Sequence, residues 1–189
     1  LRIRAAYGAL TFAAFSVLWS TLAVMLARSP YSYSAGTIGL FGLAAAMGAG
    51  AAAFGGRFAD RGHVSGLTLG GLAAGLAGFV ALEAGRGSLL ALIAGILLVD
   101  FGGQLVQVAS QGRIYQLGEG IRGRLTMAYM GTRFAGGVVG SALGVAVFAS
   151  GDWHASTTLG AALYVAGLAV WWFERRVDSP VPKSGLVSQ

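Results

Sequence analysis

Apolar residues run along this chain in six long stretches, separated by short connections that hold most of the charge. The stretches are Ala5 to Ala27, Ala35 to Gly56, Val64 to Leu82, Ser88 to Gly112, Leu125 to Ser150 and Ala155 to Phe173. A helix needs about 20 mainly apolar residues to cross a bilayer, because no water in the hydrocarbon core can satisfy an open backbone. The pattern therefore predicts an all-α membrane protein with six transmembrane helices over residues 1–176. Residues 177–189, with Pro180 and Pro182 and little apolar content, predict a disordered tail.

Two formal charges fall deep inside predicted spans, Asp100 and Arg133, and each costs several kcal/mol unless paired or hydrated. Asp100, Gln104, Gln107 and Gln111 are spaced four, three and four residues apart, which places them in one arc of the fourth span. At about 1.5 Å per residue, Asp100 lies roughly 20 Å from Arg113 and Arg133 roughly 13 Å from Arg124. Arg133 is thus level with Gln104 and within reach of Asp100, and it shares a helix face with Tyr129, Gly137, Gly140 and Gly144. Three arrangements fit: an aqueous cavity in which Asp100 binds a proton or cation, a buried ion pair joining two helices, or an arginine that snorkels to the interface. Ser16 and Ser20, one turn apart beside Trp19, read as helix-packing hydroxyls or substrate ligands. His63 and His154 fall in opposite loops and cannot share a metal.

Glycine accounts for 32 of the 189 residues and recurs inside the spans. Gly136, Gly140 and Gly144 form GxxxGxxxG, and Gly66 with Gly70 and Gly71 with Gly75 repeat the spacing that lets helix backbones approach.

Composition agrees with the membrane reading: 56% of residues are hydrophobic, 11% are charged and the mean hydropathy is +0.71. The net charge of +6 would suggest nucleic acid in a soluble chain, but here the arginines occupy the connections. One set of connections and termini holds Arg2, Arg4, Arg57, Arg61, Arg113, Arg122, Arg124, Arg175, Arg176 and Lys183, and the opposite set only Arg28 and Arg86. By the positive-inside rule both termini are predicted to be cytoplasmic, with Trp153, Trp171 and Trp172 at the membrane interface. Without cysteine neither a disulfide nor a thiolate metal site is possible, and no cofactor, metal or nucleic-acid partner is expected. The first residue is leucine, and the chain reads as a segment of a longer one.

The stretch GGRFADRGH, Gly55 to His63, lies in the turn between the second and third spans. Its Gly56, Asp60, Arg61 and Gly62 resemble the GxxxDRxGR signature of the major facilitator superfamily of secondary transporters, shortened by one residue. The block DFGGQLVQVASQGRIYQLGEGIRGRLTMAYMGTRFAGGVVGSALG, Asp100 to Gly144, resembles the tenth and eleventh helices of bacterial drug-efflux-like members. The resemblance covers roughly residues 1–176 and implies the carboxy-terminal half of a twelve-helix carrier, built as two inverted three-helix repeats. It implies a proton-antiporting efflux carrier of the bacterial inner membrane. Its partners would be lipid, a small-molecule substrate, protons, and an amino-terminal half or a second copy. Asp60 would act as a conformational latch on the positive end of a neighbouring helix. Arg133 departs from the resemblance, which implies a neutral or aromatic residue there.

Two enzyme-like or channel-like alternatives fail on residue types. An intramembrane serine protease needs a GxSG in one span and a buried histidine in another, and an aquaporin-like channel needs asparagine, which the chain lacks. A further alternative is an isolated six-helix module without transport activity, folding or dimerising through its glycine faces.

Overall fold

The computed structural model describes residues 1–29, 31–47, 63–116 and 119–177, the side chains of 43–47 and 119 excepted. The turn motif Gly56, Asp60, Arg61 and Gly62 and the tail 178–189 lie outside the described residues. All regular structure described is helical: α1 (Arg2–Ala27), α2 (Ala35–Met47), α3 (Val64–Ala84), α4 (Leu89–Tyr115) and α5 (Glu119–Val177). Four of these, all but α2, are long and apolar enough to cross a membrane.

The helices begin where side chains can cap them. Ser88 accepts a hydrogen bond from the Ala91 amide at the start of α4, and Ser34 accepts one from the Thr37 amide at the start of α2. They also overrun the apolar stretches, since a helix need not stop where the hydrocarbon does. α4 continues to Tyr115 and α5 starts at Glu119, so Arg122 and Arg124 are helical rather than part of a loop.

The connection expected near residues 151–154 is likewise reduced to a single residue. Asp152 (φ 59°, ψ −156°) breaks α5 into two arms, 119–151 and 153–177. That region of backbone space is essentially reserved for glycine. Trp153, next to this break, is buried against the protein, with its indole N–H donating to the Leu82 carbonyl at 2.9 Å. That carbonyl, at the end of α3, also accepts from the Gly85 amide at 3.1 Å. His154 is helical rather than in a loop, and its Nδ1 lies 2.9 Å from Glu83 Oε1.

Glycines set the helix pairing. α1 packs along the first arm of α5, where a Cβ on Gly136 would lie 2.5 Å from the Ala9 carbonyl oxygen. One on Gly140 would strike Ala13, and one on Gly144 would sit 3.0 Å from Val17 Cα. α3 and α4 pair the same way: a Cβ on Gly71 would meet the Gly102 carbonyl at 2.7 Å, and one on Gly78 the Gly95 carbonyl at 2.9 Å. Gly75 accommodates the ring of Tyr164 from the second arm. Gly66 and Gly70 have the same spacing but nothing within 4 Å, so they do not support a close approach.

Charge clusters close both ends of this bundle. At one, the buried Arg4 forms an ion pair with Glu174 and donates to Thr68 Oγ1 at 3.3 Å, while Tyr7 donates to Glu174 at 2.8 Å. Arg4, counted from sequence as a flanking charge, thus ties α1 to α3 and α5. At the other, Arg28 and Arg86 converge on Asp152 at 3.7 and 3.8 Å, beside the Glu83–His154 pair.

Candidate functional site

Between these ends lies a cavity of about 160 Å³ lined by Thr11, Phe12 and Phe15 of α1, Asp100, Gly103 and Gln104 of α4, and Arg133 of α5. The chain supplies it by crossing three helices at one level. Gly137 lets Phe12 and Ser16 lie against α5 beneath Arg133, since a Cβ there would fall 2.6 Å from the Phe12 ring. Phe12 and Phe15 stack at 5.4 Å between centroids, and Phe15 meets Trp19 at 6.1 Å. The spacing of three and four residues puts these rings on one face of α1.

Asp100 is 93% buried by the measure of its 7% residual exposure, yet neither carboxyl oxygen has a hydrogen-bond partner among the described residues. The indole of Trp19 lies close enough to act on the carboxyl, but its N–H completes no hydrogen bond. Arg133 is half-buried and its guanidinium sits 4.4 Å from the Phe12 ring centroid, a cation–π arrangement. One of its terminal nitrogens, Nη1, is also without a partner. Asp100 and Arg133 line the same cavity but form no ion pair, for the ion pairs among the described residues lie at the bundle ends. Among the described residues, then, no buried ion pair joins α4 to α5 at this level.

The remaining residues singled out from sequence divide into two groups. Tyr129 is fully buried, with its ring against Gly8 and its hydroxyl near Arg133 and Ser110 without an aligned hydrogen bond to either. It lies between Arg133 and the Arg4 end of the bundle. Gln107 and Gln111 are partly buried on α4 but do not line the cavity, which takes only the first glutamine of the stripe. Ser20 donates to the Ser16 carbonyl at 2.7 Å, and both serines face α5 glycines. Both hydroxyls thus lie in the contact between α1 and α5.

Tyr164 was not anticipated. Fully buried on the second arm, its hydroxyl donates to the Val99 carbonyl at 3.5 Å and lies within electrostatic reach of both Asp100 and Arg133. The signal available in sequence was Gly75, whose missing side chain leaves room for the ring. Among the described residues no three His, Asp or Glu side chains converge as a metal site requires.

No family model matches the chain, and no solved structure matches it. Two curated proteins are similar to it. The uncharacterized transporter YgaY of Escherichia coli O157:H7 and its counterpart in strain K12 are each 44% identical to this chain over 172 residues. The match takes in 91% of this chain but 44% of each relative, so the chain spans less than half the length of the proteins it resembles.

Proposed function

We propose that this chain forms one half of a secondary active transporter of the major facilitator type, a proton-coupled efflux carrier in which Asp100 carries the proton. The observation that carries the reading is the cavity itself: a buried carboxyl with no partner, facing an arginine it does not pair with, at mid-length of the long helices. A merely structural charge in a membrane bundle is expected to be paired, because leaving it open costs several kcal/mol. The similarity to proteins named as transporters, over less than half their length, fits a half-carrier whose other wall comes from elsewhere. In this reading the six helical segments form two inverted three-helix repeats, the cavity lies near the midplane, and the halves rock about it. Both termini face the cytoplasm of a bacterial inner membrane, where the turn around Asp60 latches one conformation.

Chemically, a proton on Asp100 neutralises the cavity's negative end. Its loss on the other side of the membrane restores a charge that attracts solute. Gln104, Tyr129 and Trp19 supply hydrogen-bond partners that keep either form solvated once water or solute enters. The alternative, a module dimerising through its glycine faces, would have to use the open pair Gly66 and Gly70. Gly136, Gly140 and Gly144 are already covered by α1, and Gly71, Gly75 and Gly78 by α4 and Tyr164.

The test is Asp100→Asn in the intact protein, reconstituted in vesicles with an imposed pH gradient and screened against a panel of small solutes. The expected result is normal insertion with solute-dependent proton flux reduced by about 100-fold or more, as for loss of an essential proton-transfer group. Undiminished flux would remove Asp100 from coupling.

A further inference from the structure

We infer that the Asp100–Arg133 cavity recognises a small zwitterion, with an ammonium-type group on Asp100, a carboxylate-type group on Arg133 and an apolar body against Phe12 and Phe15. The inference rests on reading this cavity as the site of the transported solute.

Opposite charges facing one cavity from two helices ordinarily close on each other. At 4 Å the attraction is worth about 4 kcal/mol even with substantial screening. Here both are held back. Arg133 lies over the Phe12 ring at 4.4 Å, and the Asp100 carboxyl, with the Trp19 indole near it, makes no ion pair among the described residues. The result is a cavity with a negative wall and a positive wall, each keeping unsatisfied polar atoms: Oδ1 and Oδ2 of Asp100 and Nη1 of Arg133.

The chemistry of the occupant follows from what each class of ligand would leave unmet. A simple cation satisfies Asp100 but faces repulsion from Arg133 and leaves Nη1 open. A simple anion does the reverse. A neutral apolar solute leaves both charges desolvated, at a cost of several kcal/mol in the membrane interior. A zwitterion satisfies both walls and brings no net charge into a site whose own charges sum to zero. Gln104, one turn from Asp100 on the same helix, offers an amide that can serve either end. The cavity of about 160 Å³ is this chain's share of the site, which the other wall would complete.

The experiment uses the intact protein in lipid nanodiscs and three probes that share one ring and chain: L-phenylalanine, phenethylamine and 3-phenylpropionate. Occupancy is read as protection of Asp100 from carbodiimide modification, quantified by mass spectrometry, and needs no transport. Phenylalanine is expected to protect at concentrations about tenfold or more below either single-charge analogue. Arg133→Gln should erase its advantage over phenethylamine, and Arg133→Lys, which keeps the charge, should retain most of it. Equal protection by phenylalanine and phenethylamine, no protection by any probe, or an advantage that survives Arg133→Gln overturns the inference. The transport reading fails separately. If the protection order is as expected but reconstituted protein shows no proton-coupled flux, the zwitterion site stands and the carrier does not. If flux of another solute is found while the probes protect equally, the carrier stands and the zwitterion site does not.

Discussion

Arg4 and Arg133 both approach an aromatic ring of α1, Arg4 at 5.3 Å from Tyr7 and Arg133 at 4.4 Å from Phe12. They differ in everything else around them. Arg4 meets Glu174, whose other oxygen takes the Tyr7 hydroxyl, and a threonine fills one of its remaining donors. Arg133 has an acid across the cavity and does not touch it, and both keep polar atoms open. Arg4 is a joint between helices. Arg133 is half of an unfinished contact, and the difference teaches that burial of a charge does not by itself mark function. The partner left unmade does.

The largest effect expected from this contrast is on stability, at the finished contact. Glu174→Gln leaves Arg4 buried without its counter-charge and should cost about 3–5 kcal/mol, seen as a lower unfolding midpoint of the intact protein in detergent. The double change Arg4→Met with Glu174→Leu should recover most of it, because no uncompensated charge then remains. If the single and double variants are equally unstable, the joint is packing rather than electrostatics.

A smaller loss is expected where α1 meets α5. Gly140→Val drives a side chain into Ala13 and should destabilise by about 1–3 kcal/mol. Gly131→Ala, on the same helix with nothing within 4 Å, should instead gain roughly 0.5–1 kcal/mol from helix propensity. Matching losses in the two variants would show that the glycine spacing, not the contact, sets stability.

At Asp152 two terms oppose each other. Its backbone conformation costs about 1–3 kcal/mol for a residue with a side chain. Its ion pairs with Arg28 and Arg86 are exposed and worth about 0–1 kcal/mol each. Asp152→Gly is therefore expected to leave stability unchanged or raise it by about 1 kcal/mol. A clear fall in midpoint would mean the arginine pairs dominate. Smallest of all should be Arg133→Gln, within about 1 kcal/mol of the parent, because only a cation–π contact is lost and a costly desolvation is relieved. A loss comparable to that of Glu174→Gln would erase the distinction between the two arginines.

The parts of this picture visible in sequence are those set by local spacing. Helical rise put Arg133 level with Gln104 and within reach of Asp100, and spacing put the three glycines of GxxxGxxxG on one face; the three polar residues line one cavity and the glycines pack closely on α1. What escaped depends on distant partners. Arg4 and Glu174 are 170 residues apart, and nothing near either one announces the other. Phe12 and Phe15 look like ordinary lipid-facing apolar residues until Gly137 is seen to seat one of them under Arg133. The polar stripe overstated the cavity, since an arc shared by four residues says nothing of where the neighbouring helix leaves space. Trp153 shows the same limit: its partner, the Leu82 carbonyl, lies 71 residues away in the chain.

The most direct measurement compares the acids of the two regions in one sample. A membrane-permeant carbodiimide attacks a protonated carboxyl, so modification of the intact protein, read peptide by peptide, reports which acid can hold a proton and be reached. Asp100 should be modified at least about tenfold faster than Glu174, which is held by Arg4 and Tyr7. Equal rates, or modification of Glu174 while Asp100 stays intact, would contradict the account, because the open charge would then lie at the joint and not in the cavity.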